Sequence, residues 1–222
     1  MDGGTRTSTR GPALGGRKAE AERNDRLVLR AATEVFLELG YEAPMSLIAE
    51  RAGVGMGSLY RRYRSKDDLI RRLCTDSMER TLAAAEQALA EEPDGWSALT
   101  RFMRDAVRCG AGALGHLAGS VQVTPQMVDV ARNSAAAMQA IIDRACREGS
   151  LRDGVTPGDL TFMCLMLRVK FGPDSARVEE LRERYLAVLL AGLRRHGEEP
   201  LPGRSPGWSE IADRWGPATD LD

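Results

Sequence analysis

The chain has 222 residues, of which 43% are hydrophobic and 28% charged, and its formal net charge is −1. These values are ordinary for a soluble globular protein. No apolar run approaches the roughly 20 residues of a membrane span, and the N-terminus lacks the apolar core of a secretory signal, so the predicted location is the cytoplasm. The four cysteines form no CxxC motif, and neither a metal site nor a cofactor is predicted.

Charge is distributed unevenly along the chain. Residues 1–75 carry 14 Lys and Arg against 10 Asp and Glu, whereas residues 76–222 carry 17 against 22. The densest basic stretch runs from Gly55 to Lys66, with four positive residues and no negative one. Asymmetry of this kind favours a chain that meets a polyanion at one end, and a modest surplus of charge without such a partner is the alternative interpretation.

The first 20 residues are rich in Gly, Thr, Ser and Arg and have no apolar period, which predicts a disordered basic tail. A helix is predicted next, because apolar residues recur with a helical period and Gly40 follows them as a C-terminal cap. These residues are Val28, Ala31, Ala32, Val35, Phe36 and Leu39.

Three glycines, Gly53, Gly55 and Gly57, follow a second short helical pattern over "APMSLIAERAG". One interpretation is a loop that cradles nucleotide phosphates, but such a loop needs a buried strand before it, and no strand-like run or GxxxxGK[ST] motif is present. The other interpretation, which the preceding helix favours, is the turn of a helix-turn-helix.

A third helix is predicted from about Met56 to Arg62. Leu59 and Tyr63 lie four residues apart and share its inner face, so that Tyr60, Arg61 and Arg62 must point outward. The order of inner and outer residues therefore gives this short helix a basic exposed surface.

The rest of the chain is helical in composition. "SKDD" at residues 65–68 resembles a capping box, and the helix that it begins is predicted to continue until just before Pro93. Thr-Pro pairs at residues 124–125 and 156–157 predict two further helix starts. Because no segment alternates as a strand does, the predicted fold class is all-α, with a helix-turn-helix domain followed by a larger helical domain.

The stretch from Arg26 to Ile70 resembles the DNA-binding domain of the TetR family of transcriptional repressors. The resemblance depends on "AA…F…GY", "IA…AGV", "G-S-LY", Tyr63 and "SKDDL", and it covers about a fifth of the chain. More loosely, "RACREGSLRDGVTPGDL" and "LAGLRR…PLPG" are similar to the ligand-binding half of actinobacterial members. Pro44 and Gly55 stand where the family often has Ser or Thr, and Arg62 where it often has His.

The resemblance implies a cytoplasmic homodimeric repressor that an unidentified small-molecule effector releases from a palindromic double-stranded DNA operator. The expected organisation is a tail over 1–20, a helix-turn-helix DNA-binding domain over 21–75, and a ligand-binding and dimerisation domain over 76–222. Whether binding represses or activates is left open by the residues themselves.

In a helix-turn-helix, the N-terminal part of the second helix meets base edges in the major groove. Arg61 is the first candidate for reading a base, since arginine can bind guanine through two hydrogen bonds. The other expected DNA-contacting residues are Ser46, Met56, Gly57, Ser58, Tyr60, Arg62 and Lys66, of which Ser58, Tyr60, Arg62 and Lys66 are expected to hold phosphates. A solvated basic face is the alternative interpretation.

An effector pocket is expected among the middle helices. The residues that would line it are Trp96, Phe102, Met103, His116, Met127, Met138, Phe162, Met163 and Met166. Large apolar side chains at helical spacing are also what an ordinary core contains, so both interpretations stay open here.

A dimer surface is expected on the last two long helices, predicted over 158–170 and 175–195, because their apolar stripes are too wide for one inner face. The candidates are Leu181, Tyr185, Leu189 and Gly192. Packing of all of them inside one subunit is the alternative.

An enzyme and a purely structural adaptor are the rival classes of function. The chain has two histidines, His116 and His196, and no GxSxG or HExxH motif, so no enzymatic activity is predicted. An adaptor would not need the basic cluster between Tyr60 and Lys66.

Overall fold

The computed structural model describes residues 14–112, 114, 117, 120–168, 175–195, 199–207 and 210. Within these residues the regular structure is helical, which confirms the all-α prediction, and strand-like pairing is limited to an isolated bridge between Leu151 and Arg194. The chain divides into two compact units, Met1–Ser65 and Lys66–Asp222, and each is described by itself.

The helices follow one another without any intervening sheet in the described residues. The first unit contains α1 (Leu14–Leu39), α2 (Met45–Ala52) and α3 (Met56–Arg62). The second unit contains α4 (Lys66–Glu91), α5 (Gly95–Cys109), α6 (Pro125–Arg147), α7 (Pro157–Met166) and α8 (Ser175–Leu193). None of the described helices is long and apolar enough to cross a membrane.

The start of α1 corrects the predicted tail. The helix begins at Leu14, so residues 14–20, which we expected to be disordered, are helical. Strong helix formers (Arg, Lys, Ala and Glu) fill the chain from residue 17 to residue 23, and they outweigh the two glycines at 15 and 16. Residues 1–13 lie outside the described part of the chain.

The core of the first unit is built from the apolar positions that the sequence pattern selects. Val35 and Phe36 on α1, Ile48 on α2 and Leu59 on α3 are at most 1% exposed. Each buried side chain of this size contributes about 1.5–3 kcal/mol relative to an exposed one. Leu39, expected on the same face, is 52% exposed because α1 ends there.

In the second unit α4, α5 and α6 pack against one another around a core that also takes in α7 and α8. Gly95, the first residue of α5, lies so close to α6 that a Cβ on it would stand 2.4 Å from the backbone nitrogen of Ala145. Only glycine fits this contact. The predicted Thr-Pro starts are also present, since the Thr124 and Thr156 side chains cap α6 and α7.

The last two helices are shorter than predicted. The helix expected over 158–170 is Pro157–Met166, and the one expected over 175–195 is Ser175–Leu193. The Arg168 N–H bonds to the Leu165 carbonyl at 3.1 Å, three residues back, which is the tightened turn that closes many helices.

Candidate nucleic-acid interface

Three residues, Gly53 to Gly55, separate α2 from α3. Gly53 has φ +66°, the left-handed conformation that favours glycine, and the Val54 N–H that follows bonds to the Ala49 carbonyl at 3.0 Å. Gly55 is extended and stands at the N-cap of α3. The geometry is that of a helix-turn-helix, in which a turn of three or four residues, often containing glycine, joins two helices.

The outer surface of α3 has the orientation that the spacing of Leu59 and Tyr63 predicts. Leu59 and Tyr63 are 1% and 6% exposed, whereas Tyr60 is 46% exposed. The remaining outward residues of α3 are Met56, Gly57, Ser58, Arg61 and Arg62, all exposed. This confirms the predicted facing of Tyr60, Arg61 and Arg62, while their contact with DNA stays a prediction.

Gly57 has no packing reason to be glycine. A Cβ built on it meets no atom within 4 Å, and the same holds for Gly55. Close approach to a neighbouring part of the protein therefore does not explain Gly57. What stays open is the approach of a partner from outside.

Arg61 is oriented by its own helix. Its guanidinium donates a hydrogen bond of 2.9 Å to the Ser58 Oγ, one turn earlier. A guanidinium carries five N–H donors, so this bond leaves it able to form two parallel bonds to a base edge.

Arg62 and Tyr63 share a partner that the sequence pattern did not indicate. The Asp25 carboxylate on α1 forms an ion pair with Arg62 and accepts a hydrogen bond from the Tyr63 hydroxyl. The bond to Asp25 raises the pKa of Arg62. Burial and, to a smaller extent, the bond to Asp25 raise the pKa of the Tyr63 phenol, so that the hydroxyl stays a donor.

An open cleft of about 580 Å³ lies between α1 and the turn leading into α3. Its lining comprises Ala21, Asn24, Asp25, Val28, Gly53, Val54, Gly55, Ser58, Leu59, Arg61, Arg62 and Tyr63. Both arginines of α3 thus border a space that an outside group can enter.

The two remaining candidates lie at helix starts. Ser46 is exposed at the second position of α2, and Lys66 is the half-buried first residue of α4, in the second unit. Their contact with DNA stays a prediction.

The expected effector-pocket residues separate into two groups. Phe102, Met103, Met127, Met138 and Met163 are buried, whereas Phe162 and Met166 are 42% and 56% exposed. Trp96 is partly buried, with the Arg194 guanidinium 4.0 Å from its ring centroid. His116 lies outside the described residues.

A cavity of about 490 Å³ brings Phe162 and Met163 together in the second unit. The other lining residues are Val155, Asp159, Leu193, Leu201, Arg204, Pro206 and Glu210. Four of these, Leu201 to Glu210, follow α8 in the chain, and sequence reasoning had assigned them no part in a pocket.

Helix α8 is apolar on two sides. Leu186, Leu190 and Leu193 are buried in the core of the second unit. On the other side, Tyr185 and Val188 are 48% and 59% exposed. Of the predicted dimer residues, Leu181 and Leu189 are half-buried and Gly192 is exposed.

Comparison with protein families gives two matches. Residues 28–73 match the family described as "Bacterial regulatory proteins, tetR family", and residues 94–195 match the family described as "Transcriptional regulator SbtR-like, C-terminal domain". The first match contains the whole helix-turn-helix, and the second runs from the start of α5 to the end of α8.

A curated relative and two solved structures are similar to the chain. The uncharacterized HTH-type transcriptional regulator YhgD of Bacillus subtilis is 34% identical over 65 residues, which span 29% of this chain and 34% of YhgD. The TetR transcriptional regulator SCO0520 of Streptomyces coelicolor is 25% identical, with a TM-score of 0.58 over 78% of this chain and 99% of SCO0520. A TetR transcription regulatory protein of Mycobacterium vanbaalenii is 28% identical, with a TM-score of 0.56 over 81% of this chain and 99% of that one.

Proposed function

Because this chain belongs to the TetR family of DNA-binding transcriptional regulators, we propose that it is a homodimeric repressor that a small-molecule effector releases from a palindromic operator. The family is regulatory rather than enzymatic, and we propose no catalytic role. The observation that carries the proposal is the exposed basic surface of α3, presented directly after the glycine turn. The cytoplasm, where bacterial DNA lies, is the proposed location.

On DNA, α3 would enter the major groove with its N-terminal residues at the base edges. Arg61, held by Ser58, is proposed to read a guanine. Met56 and Gly57 precede it on the same exposed surface. The residues proposed to contact phosphates or to support these contacts are Ser46, Ser58, Tyr60, Arg62 and Lys66.

For the effector, the cavity beside Phe162 and Met163 offers a mostly apolar space with a few charged groups in its lining. Both residues were among the predicted pocket residues. Sites for small molecules are typically concave and mostly apolar, with few polar groups. We make no proposal for the identity of the effector.

Salt-dependent DNA binding tests the proposal. The purified chain is expected to bind random duplex DNA weakly, with an affinity that falls linearly on a log–log plot against salt concentration. A binding screen over genomic fragments is expected to recover a preferred site, from which one or more compounds of a metabolite panel release the protein. A chain that binds neither random nor genomic duplex at low salt would contradict the proposal and leave the adaptor interpretation.

A further inference from the structure

Asp25 connects α1 to the end of α3. Its side chain is only 14% exposed, and both of its partners, the Arg62 guanidinium and the Tyr63 hydroxyl, come from consecutive residues where α3 ends. A buried carboxylate needs such partners because an unpaired charge is costly away from water. The three side chains therefore fix the end of α3 to α1.

The two exposed arginines of α3 consequently differ in charge environment. Arg61 bonds to a neutral hydroxyl, whereas Arg62 directly contacts a carboxylate that compensates its charge. Both border the cleft of about 580 Å³, and the Arg62 side chain is 43% exposed. A phosphate oxygen can reach Arg62, but it must compete with Asp25.

We propose that Asp25 is a positioning residue that withholds the charge of Arg62 from the DNA backbone while it holds α3 in place. The consequence is weaker sequence-independent binding, because one phosphate contact supplies less attraction. Specific recognition through Arg61 is kept, since the carboxylate does not contact that side chain. The inference rests on the proposed function, namely that the exposed surface of α3 meets DNA.

The test is Asp25→Asn in the full-length protein, measured on random duplex DNA across a fourfold range of salt concentration. Asparagine keeps an oxygen that accepts from Tyr63 but carries no charge, so Arg62 becomes available to a phosphate. A phosphate contact that Arg62 makes in full contributes about 0.9 to the slope of log affinity against log salt. Because the unmodified protein is expected to have less than half of this contribution, the slope of Asp25→Asn is expected to be steeper by about 0.5–0.9. Over the fourfold salt range the variant's affinity is expected to fall about 2- to 3.5-fold more than that of the unmodified protein.

Glu34→Gln is the matched control. Glu34 also lies on α1 and forms an ion pair with an arginine, Arg30, at 3.1 Å, but neither residue lines the cleft. This substitution removes the same charge from the same helix and frees an arginine elsewhere. We expect a slope within experimental error of that of the unmodified protein.

Arg62→Gln separates charge release from a merely structural effect. The steeper slope of Asp25→Asn is expected to disappear in the double variant with Arg62→Gln. Alone, Arg62→Gln is expected to lower the slope by less than half of the ~0.9 that a fully available phosphate-binding arginine contributes. This single variant keeps the inference testable if Asp25→Asn does not fold.

Two results would overturn the inference: a slope for Asp25→Asn equal to that of Glu34→Gln, or a loss of about 0.9 in slope for Arg62→Gln alone. The unmodified protein separates this inference from the proposed function. If the unmodified protein does not bind duplex DNA at any salt concentration, the proposed function fails. If it binds and the variants give one of the two results above, only the role of Asp25 fails.

Discussion

Arg61 and Lys66 are both basic, yet we expect them to contribute differently to DNA binding. Arg61 lies on the exposed surface of α3 and is proposed to read a base, whereas Lys66 begins α4 and is proposed to hold a phosphate. Arg61→Ala should therefore cost about 1–3 kcal/mol on the specific operator and much less on random duplex. Lys66→Ala should weaken binding to both DNAs by a similar factor and lower the salt slope by about 1.

Arg132→Ala is the control for this comparison. Arg132 is an exposed arginine of α6 in the second unit, paired with Asp129 at 3.7 Å. The substitution removes one positive charge at a site to which we assign no DNA contact. The affinities for the operator and for random duplex DNA should therefore stay nearly unchanged. Equal losses for Arg61→Ala and Lys66→Ala on both DNAs would contradict the assignment of base reading to Arg61.

For single residues, the sequence could predict which side chains of α3 face outward but not which partners those side chains contact. The spacing of Leu59 and Tyr63 fixes the buried side of a seven-residue helix, and Tyr60 and Arg61 must then be exposed. Asp25 precedes Arg62 by 37 positions, and its pairing depends on how α1 packs. A helical pattern gives a polar residue such as Asp25 only an outward position, so the contact could not be predicted.

The short helix α3 provides a test at the scale of one element. Gly57 lies inside the helix with open space around its Cα. Because alanine has a higher helix propensity, Gly57→Ala should raise the free energy of unfolding by about 0.5–1 kcal/mol. If α3 enters a groove, the added methyl group should at the same time weaken operator binding. Chemical denaturation and a titration with operator DNA measure the two effects separately.

Gly53→Ala is the opposite control. Gly53 has φ +66° and also has open space around it, so only backbone strain is introduced, and the free energy of unfolding should fall by about 1–2 kcal/mol. Operator binding should return when the folded fraction is restored at lower temperature. A Gly57→Ala variant that is more stable and binds the operator normally would mean that α3 does not approach DNA closely at this position.

Helix starts with side-chain caps were the elements that the sequence predicted best. Thr124 and Thr156 cap α6 and α7 where the Thr-Pro pairs indicated, because the capping interaction is local. The predicted start of α1 was wrong, because a composition rich in Gly, Thr, Ser and Arg predicted a disordered tail, whereas residues 14–20 are helical. The close contact of Gly95 with α6 is a feature that only the tertiary packing reveals.

At the scale of the whole molecule, the sequence predicted the two-part organisation more readily than the pocket. The surplus of basic residues and the helix-turn-helix motif both lie in the first 75 residues. The match to a regulatory C-terminal domain covers residues 94–195. The cavity of about 490 Å³ also uses Leu201 and Arg204 from beyond α8. A Pro- and Gly-rich stretch has no apolar period, so its contribution to a pocket could not be predicted from spacing.

The exposed apolar side of α8 is proposed as part of the homodimer surface. Val188 is 59% exposed and Tyr185 48% exposed on the side opposite the buried leucines, and a surface of this kind is stable when a second copy covers it. Val188→Glu places a charge there, which is costly to bury without a partner. We expect the protein to sediment as a dimer at micromolar concentration and Val188→Glu to sediment as a monomer.

Ala187→Glu adds the same charge to an exposed position on another side of α8 and should leave the dimer intact. A helix-turn-helix monomer reaches a single half-site, whereas a dimer spans two half-sites about 34–36 Å apart, or a multiple of that distance. Val188→Glu should therefore lose most of its operator affinity while its folded monomer keeps the unfolding transition of the second unit. A Val188→Glu protein that still sediments as a dimer would place the interface elsewhere, and an unmodified protein that sediments as a monomer would exclude the dimer.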